Sequence, residues 1–217
     1  MTSYQPTKRS KAKRVHDRVA YDHEAVHEVF DALPMCHVGY AIDGQPYVTP
    51  TIQWRQGTRL YWHGSAASRM IKTVSAGAAV CVTVSQLNGF VMARSPFHHS
   101  VNYTSAMAFG HGAAITDAAE KEETLRHMFE HLFPGRWDDV RGNTAKELKA
   151  TGVVFMEIEE ASAKTRGGPP IDDEEDYDGV DCWNGVLTVG PAYGAPVNDE
   201  RNKPGIGFPD YLKHMRS

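Results

Sequence analysis

The sequence predicts a mainly β protein with flanking helices, in which about six antiparallel strands close into a small barrel. Three observations point there. Short runs rich in β-branched and aromatic residues succeed one another from residue 35 to residue 159. Two-residue turn signals, Asp43-Gly44, Gln56-Gly57 and Asn88-Gly89, stand between several of them, and connections this short join only antiparallel neighbours. Amphipathic helical patterns lie before, between and after the runs, where they can plug a barrel's ends.

The elements follow in order. Asp22 is placed to cap a first helix, in which Val26, Val29, Phe30 and Leu33 recur at helical spacing and which Pro34 stops. Strands are expected over 35–42, 45–54, 59–63, 79–84 and 87–93, and a longer one over 101–115. Asp117 with Glu120 forms a capping-box pattern ahead of the stripe Leu125, Met128, Phe129 and Leu132, and Pro134-Gly135 ends that helix. Thr144 and Glu147 repeat the pattern for a short helix, and 153–159 reads as the last strand.

Three units are expected: a basic arm over 1–20, the barrel over 21–165, and a 166–217 extension packed on the barrel or on a partner. The arm carries Lys8, Arg9, Lys11, Lys13, Arg14 and Arg18; the extension opens with an acidic run over 172–178 and becomes rich in Gly and Pro. Both charge runs read as solvated segments. The chain is 41% hydrophobic and 23% charged with a net charge of −4, a composition that fits a globular protein and argues against a nucleic-acid partner. Three scattered cysteines without a C-x-x-C suggest neither a disulfide framework nor a cysteine zinc site. No apolar stretch approaches the ~20 residues of a membrane span. A cytoplasmic location, with no membrane partner, is the expectation.

The stretch LYWHGSAASRMIK, residues 60–72, turns from strand to helix with no large side chain at the turn. Ser65 stands where an N-cap is expected, and small residues from Gly64 to Ala67 leave room beside unpaired backbone N–H groups. Ser68 adds a hydroxyl, Arg69 can grip two phosphate oxygens, and Lys72 follows one turn on. An anion site and a capped helix with a surface arginine are both consistent with this stretch taken alone. It is neither a Walker loop nor a dinucleotide fingerprint.

With its neighbours the stretch says more. GQPYVTPTIQW, then LYWHGSAASRMIK, then VCVTV, then SVNYTSAMAFGHGAAI resembles the pyridoxamine 5′-phosphate oxidase-like superfamily of FMN-binding split barrels, within it the nitroimidazole-resistance (Nim-like) branch. The resemblance implies a six-stranded antiparallel split β-barrel, FMN as cofactor, and a homodimer with each flavin at the subunit interface. It places the flavin ring against Pro50, Thr51, Ile52 and Gln53, and the ring edge, ribityl chain and phosphate against Trp62, His63, Ser65, Ser68 and Arg69; Lys72, one turn on, is taken as a further cofactor-binding cation from its position beside that turn. Asn102, Tyr103 and Ser105 lie on the strand it puts near the interface, where Thr104 stands in place of a common arginine. The activity implied is transfer of hydride or electrons from reduced flavin to a small-molecule acceptor such as a nitroaromatic. The basic residues that bind the substrate phosphate in vitamin-B6 oxidases have no counterpart here, so pyridoxamine phosphate is not the expected substrate.

Eleven histidines invite a metal. His127 and His131 have ligand spacing but fall opposite the apolar stripe, without an H-E-x-x-H, so no metal site is assigned. His63 ends a strand beside the proposed phosphate turn, and its ordinary near-neutral pKa suits a proton donor, making it the candidate catalytic residue. His98-His99 read as a polar loop or as haem ligands. A flavin-storing or flavin-sensing module without turnover, a haem-binding barrel, and use of a deazaflavin are the rival readings.

Overall fold

The computed structural model describes residues 2–14 and 16–216. Met1, Val15 and Ser217, which belong to the two terminal segments, lie outside the described residues. In chain order the elements are β1 (Val19–Ala20), α1 (His23–Ala32), β2 (Met35–Ile42), β3 (Gln45–Gln56), β4 (Arg59–Ser65), α2 (Arg69–Ser75), β5 (Ala79–Met92), β6 (Ser100–Ala114), α3 (Ala118–Leu132), α4 (Ala145–Ala150), β7 (Thr151–Glu157), β8 (Glu160–Arg166), α5 (Glu174–Gly179) and β9 (Gly185–Thr188), with 3₁₀ segments at His16–Arg18, Trp137–Asp139 and Asp210–Arg216.

Six strands close a ring, β6–β7–β4–β3–β2–β5 and back to β6, every pairing antiparallel. β8 continues the sheet from β6, β1 pairs with β8, and β9 pairs with the far end of β5. This is the split barrel expected, with flanking helices. The strands β5, of 14 residues, and β6, of 15, make it possible: each is long enough to serve the ring and a lateral sheet at once.

The turns follow local chemistry where the sequence demanded positive φ. Asp43 (φ 50°) and Gly44 (φ 80°) form the β2–β3 hairpin, and Gly57 (φ 59°) opens the β3–β4 turn. Asn88-Gly89 does not turn the chain. β5 runs straight through it, with a register shift against β6 between Leu87 and Gly89. Gly89 is needed for close approach: a Cβ there would lie 2.9 Å from Val186 and 3.0 Å from the Leu187 carbonyl of β9. The two short strands expected over 79–93 are therefore one bulged strand, and β8 and β9 are strands the periodicity did not show.

Two cores form. The barrel interior holds Val26, Phe30, Cys36, Val38, Leu60, Trp62, Val74, Val82 and Met156 among others. A second cluster, Trp54, Tyr61, Ile115, Leu125, Met128 and Val153, lies where α3 covers the outside of β3, β4 and β7. α1 is capped by Asp22, whose carboxylate accepts from Ala25 N–H at 2.9 Å, and α3 by Asp117, which accepts from Glu120 N–H at 2.8 Å. Both halves of a capping box form at Thr144 and Glu147.

Neither charged terminal segment is simply solvated. Thr7 and Ser10 donate to Glu160 at 2.6 and 2.8 Å, and Arg9 pairs with Glu160 and Glu159. Tyr4 is buried, stacked on His23 and hydrogen bonded to His27 at 2.8 Å. In the acidic run, Asp172 is buried, accepts from Arg94 N–H at 2.8 Å and pairs with the Arg94 guanidinium at 3.4 Å; Asp173 lies 3.3 Å from His98.

Candidate functional site

The turn after β4 departs from the expectation in its cap. β4 continues to Ser65, and Ser68 is the residue that caps α2, accepting from Ile71 N–H at 3.3 Å. The Ser65 hydroxyl instead accepts from Ala67 N–H at 3.3 Å. Because α2 has seven residues, the backbone dipole there is short, and side chains carry the site's charge. Arg69 is exposed, and its guanidinium lies 4.2 Å from the Tyr47 ring centre. No ion pair joins Arg69 to a carboxylate among the described residues. A cation laid on an aromatic face keeps its edge N–H groups free for an anion. Gly64 keeps the turn tight: a Cβ there would sit 3.3 Å from Ile71. Lys72 diverges from this group and lines a cavity with Lys121.

On β3 the pleat separates the four expected ring contacts. Pro50 and Ile52 pair with His37 and Met35, while Thr51 pairs with Cys36 of the core. Directly paired residues share a face, so Pro50 and Ile52 are on the outside and Thr51 faces in. Gln53 is also inside, fully buried. Its amide donates to the carbonyls of Phe30 at 2.6 Å and Leu33 at 3.1 Å, tying down the end of α1. Trp62 is fully buried too, its indole N–H 3.1 Å from the Met70 sulfur. Neither Gln53 nor Trp62 offers side-chain surface to a ligand. In both cases the orphan groups of a neighbouring helix or core made the stronger claim on the side chain.

The outer face on which Pro50 lies is continuous. Pro50, His37, Thr83, Met107 and Ser162 pair in succession across five strands. Val48, Gly39, Cys81, Phe109 and Glu160 form the next row. Val48 is 67% exposed, Met35 53% and Met107 41%, an apolar sheet surface of the kind that marks an interaction site.

His63 stands at the rim where this open face meets the patch under α3. Its ring centre is 6.1 Å from that of Trp54. Burial pushes its pKa below the ordinary value, so it is neutral at pH 7. The buried His63 Nδ1 and the buried Trp54 Nε1 have no hydrogen-bond partner among the described residues. Trp54 is 1% exposed and packed under α3, so its indole N–H belongs to that core and not to an open site.

The third expected group sits at the start of β6. Asn102 is buried and donates to the Gly168 carbonyl at 3.0 Å. The Ser105 hydroxyl donates to the Lys164 carbonyl at 3.3 Å, and Tyr103, half-buried, pairs with Arg166 in register. Arg166, buried, donates to the Asn102 side chain and forms no ion pair among the described residues. The sequence held no signal for that contact, because β8 itself was not evident. It places a buried guanidinium beside the strand where Thr104 replaces an arginine.

The histidine loop lies between β5 and β6. His99 Nδ1 is 2.9 Å from the Ser95 carbonyl, which fixes its tautomer and leaves Nε2 free; the ring is exposed. His127 and His131 are exposed on α3, His127 beside Glu123 at 3.4 Å. No helix among the described residues is long and apolar enough to cross a membrane.

Comparison with solved structures gives high likeness over nearly the whole chain. The flavocytochrome Anf3 from Azotobacter vinelandii is 42% identical, with 97% of each chain covered and a TM-score of 0.90. The FAD and heme binding protein from Mycobacterium smegmatis is 31% identical, with 92% of this chain and 97% of that one covered and a TM-score of 0.87. A protein described as conferring 5-nitroimidazole antibiotic resistance, from Bacteroides thetaiotaomicron, shares the fold at 22% identity, with 67% and 85% of the two chains covered and a TM-score of 0.56. No curated protein matches the sequence. The family model described as pyridoxamine 5′-phosphate oxidase matches residues 22–165. With well over half of its length matched and the split barrel in place, the chain belongs to the pyridoxamine 5′-phosphate oxidase family.

Proposed function

We propose that this protein is a flavin-binding oxidoreductase that works as a homodimer, its flavin held between the β4–α2 turn of one subunit and the open outer face. The observation that carries the reading is the likeness to a flavocytochrome at 42% identity over 97% of the chain. The site's own residues fit such a ligand. Arg69, with no carboxylate partner among the described residues, takes the phosphate, helped by the free O–H donors of Ser65 and Ser68. Pro50 and Ile52 offer a flat apolar surface to the ring, with the half-buried His63 imidazole beside them. Bound flavin supplies hydride or electron transfer. The chain positions it, excludes water from one face, and holds a neutral imidazole at the ring edge. Neutral His63 serves better as a hydrogen-bond partner than as the proton donor its ordinary pKa suggested.

FMN is the flavin implied by the sequence resemblance; the Mycobacterium smegmatis relative is described as binding FAD. The dinucleotide carries a second phosphate, for which the buried Arg166 beside Asn102 is the available cation. The acceptor is a small molecule, and a nitroaromatic is the compound to try first.

A second reading, haem in addition to flavin, rests on the two relatives whose descriptions name a flavocytochrome and a haem-binding protein. His99 suits it, since its held Nδ1 turns Nε2 outward as a ligand. The test of both is the absorbance spectrum of the purified protein, followed by heat release and mass determination of the chromophore. A two-banded flavin spectrum supports the first reading, and a Soret band lost in His99→Ala supports the second. A colourless protein that takes up neither FMN, FAD nor haem would sink both.

A further inference from the structure

Between α2, the ends of β6 and β7, and the start of α3 lies a cavity of about 580 Å³, within the usual size range of small-molecule sites. Its floor is apolar: Ile71, Ala114, Ile115 and Val153. Its polar side chains are Lys72 and Lys121 with the hydroxyls of Ser75, Thr116 and Thr151. No carboxylate of the described residues lines it.

Lys121 is the informative residue. It is half-buried, and it donates to the carbonyls of Leu148 at 3.2 Å and Thr151 at 3.0 Å, at the end of α4. An ammonium has three donors, so two are spent on neutral carbonyls and one remains. Carbonyl dipoles orient the charge without neutralising it. Among the described residues no ion pair joins Lys121 or Lys72 to a carboxylate. Two uncompensated cations thus share one apolar-floored cavity, and a neighbouring hollow with Lys149 on its wall adjoins Lys121.

We propose that this cavity binds a small amphipathic anion, a carboxylate or phosphate carried on an apolar body. Lys121 and Lys72 hold the head group and Ile71, Ile115 and Val153 the body. Arg69 does not line the cavity, so the proposal does not depend on the flavin reading.

The probe is 8-anilinonaphthalene-1-sulfonate, titrated into the purified full-length protein with its fluorescence followed. Saturable binding at one site per chain is expected. It should weaken at least tenfold in Lys121→Met, in Lys72→Glu, and in Ala76→Phe, which fills the cavity from the C-cap of α2 while leaving both ammonium groups in place. Circular dichroism checks that each variant is folded; if Lys121→Met loosens α4, the other two still decide. Excess FMN should leave the probe bound. Octanoate and octyl phosphate should displace it, and the tighter of the two names the head group. Binding that is unsaturable, unchanged in both Lys72→Glu and Ala76→Phe, displaced by FMN, or indifferent to both competitors overturns the proposal.

Discussion

Glu160 accepts from Thr7, Ser10 and Arg9, and these hydrogen bonds, Thr7's first, hold its carboxyl down to about 2. The contribution of a carboxylate lowered in the fold is present above its unfolded value of 4.5 and lost as pH falls toward 2. His27 works in a higher window. Burial, aided by the charges of Arg55 and His23, pushes its pKa below 6.5. The fold therefore favours neutral His27, and that stabilisation is complete above pH 6.5 and lost as pH falls below it. The melting temperature should be flat above pH 7 and fall as the pH drops below 6.5. His27→Gln, which keeps an acceptor for Tyr4, should flatten that decline; an unchanged slope by calorimetry would assign it to other groups. Arg69→Ala should cost about 1.5 to 3 kcal/mol of flavin binding, the range for a hydrogen bond to a charged group, or one to two decades in Kd, with the melting curve of the apoprotein unmoved. Unchanged affinity would place the phosphate elsewhere. At this scale the sequence was legible where a side chain's chemistry is local. Ser68 and Arg69 face a turn whatever the rest of the chain does. Gln53 and Trp62 were misplaced because their surroundings come from α1 and α2, and sequence spacing says nothing about which neighbour claims a side chain.

At the scale of elements, the strands with alternating burial and the helices with caps were readable: Asp22, Asp117 and Thr144 each cap as their positions require. What failed was pairing. Asn88-Gly89 carries a hairpin's composition, yet Gly89 serves the approach of β9, an element 96 positions on that has only four residues. β8, with Ala161 and Ala163 inward and Glu160, Ser162 and Lys164 outward, alternates too weakly in hydrophobicity to announce itself. Glycines give the sharpest test of element packing. A Cβ at Gly112 would lie 2.2 Å from Val74 Cγ1 and 2.6 Å from the Val74 carbonyl oxygen. Val74 is fully buried in α2 and its backbone cannot swing aside. Gly112→Ala should therefore destabilise by about 2 kcal/mol or more, read by urea unfolding, whereas Gly167→Ala, with nothing within 4 Å, should be near neutral. Equal midpoints would mean that α2 does not sit against β6 as described.

At the scale of the whole molecule, the exposed Val48, Pro50 and Met107 give the outer face of β3, β2, β5 and β6 an apolar patch, bounded where Arg9 lies over Phe109. If the homodimer forms there, Val48→Lys with Met107→Glu should halve the mass seen by light scattering and lower flavin affinity together. A dimer that survives both substitutions would move the interface to another surface. The barrel as a class was legible because closure needs only strands, tight turns and enough apolar alternation. The assembly was not, because a residue exposed in one chain and buried between two has the same one-letter code.

The family match covers residues 22–165, and the contacts of the termini bear on what that span means. Tyr4, Thr7, Arg9 and Ser10 are stitched to α1 and β8; Asp172 anchors the loop after β5, and β9 covers the end of that strand. Cutting the chain at the edges of the match would leave the Glu160 carboxylate without its donors. It would also bare the backbone of residues 89–92 as a free strand edge beside the exposed Phe90 and Met92, a template for pairing with other chains. The limits of the family match and the limits of the folding unit are different lines in this protein, and trimming it to the matched residues should give an aggregating fragment.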